Sequence, residues 1–461
     1  MKRGSMPEII RAKAGNVLSS PSRKVAVIGG GWAGCAAAVE LASNGHQPLL
    51  FEASRSLGGR ARGVQIDGKP LDNGQHILIG AYAETLRLIR TVGIDPSAAL
   101  LRLPLQMRYP DTTSGMRFVT PRLPAPFHLL GGLVFADGLG WEDKLSLARF
   151  STTARWMGWQ LNQDCTVAEL LDRFDQTDRL IKLMWRPLCI AALNTPPERA
   201  SAQVFLAVLR DSLGARRSAS DMLIPRVDLS ALFPTSAARF IDERGGKVTL
   251  GAAVRKIGRQ GQVWKIDIGN GESSFDADAV IVAVQPDKAA TLLSEIIDTS
   301  RLASLQYEPI TTCYLQYDPA VRLPVPFYAL VDSSEAGAWG QFVFDRGQLD
   351  PRQAGMLSVV VSASAGAIEN GHEVLTAAIA TQLAGVLNRP ELARPAWAKV
   401  ISEKRATFSC TPALQRPQVH TGLPGLALAG DYVEGEYPAT LESAVRSGMA
   451  AARAVVAIDG D

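Results

Sequence analysis

The chain is short of the residues from which disulfide frames and metal sites are built. Its five cysteines, Cys35, Cys165, Cys189, Cys313 and Cys410, lie far apart and form no Cys-x-x-Cys pair. That scatter excludes a disulfide framework or a zinc knuckle and predicts reduced, mostly buried thiols in a cytoplasmic protein. The five histidines are equally dispersed, so no metal site is expected. An excess of one charge is also missing. The 48 Lys and Arg against 45 Asp and Glu leave a net charge of +3 without a long basic run, a surface that gives no case for a nucleic-acid partner. No charge-free apolar run reaches the length of about 20 residues that a membrane-spanning helix requires. Residues 1–22 are polar, broken by Gly and Pro, and lack the apolar core of a signal peptide; they read as a flexible tail. The expected location is cytoplasmic, or peripheral on the inner face of a membrane.

What is present is an ordinary globular composition, 47% apolar over 461 residues, enough for two or more domains with large cores. Val25–Ile28 reads as a short buried parallel strand stopped by glycine. Gly29, Gly31 and Gly34 then form G-x-G-x-x-G, enclosing Trp32 and Ala33 and opening a helical run over Cys35–Asn44. The first glycine permits the sharp turn, the second lets backbone approach a pyrophosphate, and the third lets helix and strand pack closely. A second strand, Pro48–Phe51, ends at Glu52 and Ala53, where an acid accepts hydrogen bonds from a ribose 2′-hydroxyl and repels a 2′-phosphate. The ligand is thus an adenosine dinucleotide such as FAD or NAD, not NADP.

The rest of the chain favours FAD. Leu57-Gly58-Gly59-Arg60-Ala61-Arg62 follows the acid, with Gly59 allowing close approach and Arg60 offering a fixed charge to phosphates. At the far end, Leu426–Asp431 is another buried strand ending in Gly430-Asp431, and Thr440–Val456 reads as a helix. Asp431 can accept hydrogen bonds from ribityl hydroxyls. The N-terminus at Thr440 and Leu441 can face the flavin pyrimidine and stabilise negative charge there. An extended cofactor held from both chain ends explains both motifs.

With these motifs on view, the sequence resembles the flavin amine oxidase and carotenoid desaturase superfamily. Four further blocks narrow the likeness: "LDNGQHILIGAY" (Leu71–Tyr82), "PLCIAALNTPPERASAQVFLAVLRDSLG" (Pro187–Gly214), "PRVDLSALFP" (Pro225–Pro234) and "GQFVFDRG" (Gly340–Gly347). These look like the hydroxysqualene dehydroxylases, first labelled squalene-associated FAD-dependent desaturases. The likeness runs from about Lys24 to the C-terminus, and Tyr432 stands where Trp is usual. It implies an FAD-dependent oxidoreductase of squalene and hopanoid biosynthesis that converts hydroxysqualene to squalene, with reduced FAD as donor. It also places Gly74, Gln75 and His76 near the flavin and Val254 near the adenine.

The expected fold is α/β: a Rossmann-like FAD-binding domain with an inserted substrate domain of sheet plus helices. The FAD-binding part is assembled from 23–98, 226–290 and 416–461, and the substrate-binding part from 99–225 and 291–415. Helices are expected at Trp141–Leu161, Gln203–Leu213 and Leu229–Glu243, and strands at Lys247–Ile257, Thr311–Gln316, Gln341–Phe344 and Met356–Ser362. The apolar stretch Phe127–Trp141 is too short to span a bilayer; it is an ordinary core helix or loop, a lipid entrance, or a segment that dips into a membrane interface.

A triterpene alcohol requires a long, dry, apolar pocket and a proton donor beside its departing hydroxyl. His76 and Tyr82 are the candidate catalytic residues, against the plainer reading that His76 only satisfies backbone or cofactor. Asp345 and Arg346 are expected to form a structural ion pair, and Glu442 to anchor the N-terminus of the last helix, at whose start it lies. No second nucleotide unit is encoded, so electrons come from a transiently bound reduced nicotinamide or another carrier. Three other readings share the motifs: an oxidative polyprene desaturase, an amine oxidase with Tyr432 and Tyr437 as its aromatic cage, and a non-enzymatic lipid-binding or escort protein.

Overall fold

The computed structural model describes residues 22–112, 115–214, 216–269 and 273–457; of the tail expected at 1–22, all but Ser22 lies outside the described residues. A five-stranded parallel sheet forms the first half of the molecule. Lys24–Ile28 is its central strand, flanked by Gln47–Glu52 and then Lys247–Leu250 on one side, and by Ala279–Val282 and then Leu426–Leu428 on the other. Three separated stretches of chain therefore build one sheet. Its strands read as near-continuous apolar runs because both faces are covered.

On one face, Val25, Val27, Leu50, Ile281 and Ala427 pack against the helices Trp32–Ser43 and Leu441–Val456. These helices touch backbone to backbone: a Cβ at Gly448 would lie 2.1 Å from the carbonyl oxygen of Ala33, so only glycine fits. On the other face, Ile28, Phe51, Val280 and Leu428 meet a three-stranded antiparallel sheet, with the Phe51 and Phe275 rings 5.3 Å apart. The result is the layered arrangement that buries both sides of a parallel sheet.

The second half is an antiparallel sheet in the order Phe327–Ala329, Phe342–Asp345, Met356–Ser362, Tyr307–Gln316, Trp397–Phe408. Strand alternation sorts its residues. Cys313, Leu315, Val359 and Val361 point to Leu375, Ile379 and Leu383 of the helix His372–Val386. Thr312, Tyr314 and Ser358 lie on the opposite face, where Thr312 and Ser358 meet Gln75 and Tyr314 meets Asp72. A helical lobe completes the molecule, its core centred on Trp185 between Phe150 (ring centroids 4.5 Å apart) and Phe205 (6.1 Å apart).

Several elements are shorter than their pattern suggested. The helix expected over Leu229–Glu243 is two, Leu229–Leu232 and Pro234–Asp242, because the ring of Pro234 disfavours helical backbone at Phe233. The strand expected over Lys247–Ile257 is also two, Lys247–Leu250 and Val254–Gln260; at Gly251, φ is +68° and the chain leaves one sheet for the next. Trp141–Trp156 stops before Gly158 instead of continuing to Leu161. All five cysteines are buried and unbridged.

Candidate functional site

The site begins at the turn after the first strand. The Gly29 N–H donates to the Phe51 carbonyl (2.8 Å) and bends the chain with φ +107°. A Cβ at Gly34 would stand 1.9 Å from the Gly29 carbonyl oxygen, so this glycine lets the helix start against the strand. Gly31 is different. A Cβ there would approach nothing closer than the Gly59 Cα, at 3.9 Å, and Gly31 caps the helix without any side-chain hydrogen bond or first-turn acid. An uncapped N-terminus beside open space is what an anion needs. The Leu57–Arg62 turn folds onto this loop, Gly58 N–H donating to the Gly30 carbonyl (2.8 Å). Trp32 is buried below it, its indole N–H bonded to the Ala61 carbonyl (2.9 Å), and Ala33 lies in the helix contact with Gly448.

Glu52 ends the second strand with its carboxylate accepting the N–H groups of Gly30 (2.6 Å) and Ser54 (2.7 Å), while Ala53 is exposed beside it. Ala252 N–H donates to the Glu52 carbonyl (2.8 Å), which brings the half-buried Val254 to the same end of the site.

At the other end the early and late parts of the chain meet. Arg60 Nη2 lies 2.6 Å from Asp431 Oδ1, and Nη1 donates to the carbonyls of Arg405 (3.2 Å) and Ala406 (2.6 Å). Burial works against the Arg60 charge, but Asp431 overrides it and holds the guanidinium above its ordinary pKa. A Cβ at Gly430 would lie 2.2 Å from the Tyr432 ring. The Tyr432 hydroxyl is buried without a hydrogen-bond partner among the described residues, close enough to Asp431 and Arg60 to feel both charges. Ser443 ties this corner to the last helix, its N–H donating to Thr440 Oγ1 (3.1 Å) and its hydroxyl to the Asp431 carbonyl (3.2 Å); Leu441 follows at the first helical position, half-buried.

The Gly74–Tyr82 segment runs between the two halves. Gln75 N–H donates to Thr312 Oγ1 (3.3 Å), and its side-chain carbonyl accepts from Arg346 Nη1 (2.7 Å) and Ser358 Oγ (3.2 Å). A Cβ at Gly74 would touch Thr312 and the His76 ring, at 3.8 and 3.9 Å. His76 Nδ1 is 2.9 Å from the Gly74 carbonyl oxygen, which makes Nδ1 the protonated nitrogen and Nε2 the acceptor. Burial, helped by the nearby Arg60 charge, lowers the His76 pKa, so the ring is neutral at pH 7. Tyr82 sits apart, bonded to Thr440, and burial with the Glu442 charge keeps its phenol protonated. Arg60, His76 and Asp431 are thus brought together; Tyr82 belongs to the Thr440 corner.

Glu442 does not anchor its own helix, whose N-terminus Thr440 caps; it crosses to the neighbouring helix Ala83–Thr91 and accepts from the N–H groups of Glu84 (3.2 Å) and Thr85 (2.9 Å). The expected Asp345–Arg346 pair does not form. Asp345 accepts from Leu323 N–H (2.9 Å) and Gln348 (2.8 Å), whereas Arg346 crosses to Gln75 and to Asp72, 3.8 Å away. The strand ends at Asp345 and Arg346 opens a 3₁₀ turn, Arg346–Gln348, and this change of backbone direction separates the two charges. Asp72 was overlooked as a functional group. Its carboxyl is almost fully buried and pushed up to about 6, by burial first and against the pull of Arg346. The polar run Asp72-Asn73-Gly74-Gln75-His76 was its only sequence signal.

The comparisons with known proteins fall on this same architecture. A family model described as flavin containing amine oxidoreductase matches residues 32–456. The chain belongs to the flavin-containing amine oxidoreductase family. Its relatives include the hydroxysqualene dehydroxylases of Sinorhizobium fredii, 29% identical over 93% of this chain and 97% of the relative, and of Rhodopseudomonas palustris, 30% identical over 95% and 99%. Among solved structures, an oxidoreductase from Methanosarcina mazei superposes with a TM-score of 0.70, at 16% identity over 93% of this chain and 99% of that one. The cofactor of this flavin-containing chain is FAD. The uncapped helix start at Gly31 and the partnerless Tyr432 hydroxyl fit a long anionic ligand that also brings polar oxygens to the Asp431 corner.

Proposed function

We propose that this chain removes the allylic hydroxyl of hydroxysqualene to give squalene, a step toward hopanoids and related triterpenes. The near full-length likeness to hydroxysqualene dehydroxylases carries the reading. We assign 23–98, 226–290 and 416–461 to cofactor binding and 99–225 with 291–415 to the polyprenyl substrate.

In this assignment Gly29, Gly31, Trp32, Ala33 and Gly34 present the helix N-terminus to the FAD pyrophosphate. Glu52, Ala53 and Val254 line its adenosine end. Gly59, Arg60, Gly430, Asp431, Thr440 and Leu441 hold the ribityl and flavin end, with Gly74, Gln75 and His76 against it. Bound FAD in its reduced form supplies hydride to the carbon that loses the hydroxyl. Arg346 and Ser358 fix the Gln75 amide, and through it the segment that carries His76. His76, neutral at rest with Nε2 free to take up a proton, delivers that proton to the departing oxygen. Tyr82 keeps its own proton and serves as a hydrogen-bond donor at the Thr440 corner. Electrons arrive from a reduced nicotinamide or another carrier, and the substrate from a bilayer, with which the protein makes peripheral contact. No helix among the described residues is long and apolar enough to cross a membrane.

Extraction and mass analysis of products from FAD-loaded protein, supplied with a chemical reductant and hydroxysqualene, tests this reading. Squalene is the expected product. Conversion of a polyprene to a more unsaturated one, with no squalene formed, would select the oxidative desaturase instead.

A further inference from the structure

Single exposed apolar side chains are ordinary on a protein surface, and a concentration of them is not. Eight of the eleven large apolar residues exposed among the described residues fall between Leu123 and Trp156. Leu123 precedes two consecutive helices, Phe127–Val134 and Trp141–Trp156, and the other seven occupy these helices and the turn between them.

The first helix is built with its small residues inward and its bulky ones outward. A Cβ at Gly132 would press on the Phe118 ring at 3.0 Å and one at Gly131 on Pro121 at 2.7 Å, so the glycines let this helix lie flat on the strand beneath. Phe127, Leu130 and Val134, at i, i+3 and i+7, face solvent, and Phe135 follows at 75% exposure. The buried His128 pins the helix from below through Ser220 (3.3 Å). Ser220 belongs to the segment that touches the Gly74–Tyr82 segment, since a Cβ at Gly80 would lie 1.7 Å from the Ser218 carbonyl oxygen.

The second helix repeats the pattern at larger scale. Trp141, Leu145, Thr152 and Trp156 share one exposed face along about 24 Å of helix, with Trp156 at 87% exposure. Arg149 and Arg155 border that face on its two sides, and Arg122 adjoins Leu123. All three are exposed and form no ion pair among the described residues.

We propose that this surface is a docking face for an anionic phospholipid bilayer, with both helices lying in the interface plane. Aromatic and aliphatic side chains enter the headgroup boundary while the flanking arginines meet lipid phosphates. Against one exposed acid beside Trp141, Glu142, the three unpaired arginines leave the rim net positive, so a second copy of the chain would bring net like charge together there, whereas an anionic bilayer pairs it. The assignment of lipid as occupant rests on the proposed triterpene substrate, which a bilayer dissolves, and on this ring of unpaired arginines.

Co-sedimentation of the FAD-loaded full chain with vesicles of phosphatidylcholine, with and without phosphatidylglycerol, tests it. Binding is expected, stronger with phosphatidylglycerol, together with a blue shift of tryptophan fluorescence. F135S/W141S alters only exposed side chains and is expected to lower the partition coefficient at least about tenfold with FAD content unchanged. R149E/R155E is expected to abolish the preference for phosphatidylglycerol. Wild-type protein that ignores both vesicle types would overturn the proposal, as would a dimer that F135S/W141S dissociates while vesicle binding stays unaltered. Turnover of detergent-dispersed hydroxysqualene, measured in parallel, reports the substrate reading separately from docking.

Discussion

Arg60 Nη2 and Asp431 Oδ1 stand 2.6 Å apart although 371 residues separate them in sequence. This contact ties the turn after the second strand to the segment between the last strand and the last helix, at the proposed flavin end of the cofactor site. Removing one partner leaves the other charge at a partly buried site without its counter-ion. R60M and D431N are each expected to weaken FAD binding by about ten- to a hundredfold, a loss of roughly 1.4 to 2.7 kcal/mol. Calorimetric titration of FAD-stripped protein checks this. Unaltered affinity in both variants would remove the pair from the binding site.

Gly31 and Gly34 make a paired test, because the same methyl group meets opposite surroundings three residues apart. G34A drives a Cβ into the Gly29 carbonyl and is expected to lower stability by about 3 kcal/mol or more. G31A meets open space at an ordinary backbone conformation and is expected to keep stability within about 1 kcal/mol while losing FAD affinity. Thermal melts alongside the ratio of flavin to protein absorbance separate the two effects.

Asp72 makes stability depend on pH in an unusual direction. Its carboxyl titrates near 3.8 when exposed and at about 6 in the fold, so between those values the folded state holds a proton that the unfolded state has released. The stability advantage is present at low pH and lost as pH rises through 6. Wild type minus D72N, measured by urea unfolding, is expected to fall by roughly 3 kcal/mol between about pH 4 and about pH 7. A flat difference would show that Asp72 titrates normally.

His76 is held below its ordinary pKa by burial. A proton delivered through it makes kcat/KM fall as pH rises, with a midpoint below 6.5. H76Q is expected to lose most of the rate together with that limb of the profile. A profile that H76Q leaves intact assigns the proton to another group.

The parts legible in the sequence were those whose chemistry is local. The glycine loop, Glu52, Gly430-Asp431 and the last helix each carry their reason within a few residues, and the strand Met356–Ser362 could be read to its ends from alternation alone. What escaped depends on partners distant in sequence. Arg346 was paired with its neighbour Asp345, whereas its hydrogen bond reaches Gln75, 271 residues away. Apolar periodicity ran through Phe233 and Gly251, where proline chemistry and a positive φ break the elements. Periodicity also could not say whether Phe127–Trp141 faced the core or solvent, because a run of large apolar residues looks the same in both settings.

Anaerobic single turnover offers the most direct measurement. Photoreduced FAD-loaded protein mixed with hydroxysqualene in the absence of any other reductant is expected to yield about one squalene per flavin, with the oxidised flavin absorbance returning at the same rate. Reoxidation without squalene, or no reaction in protein fully loaded with FAD, would contradict a reductive dehydroxylase.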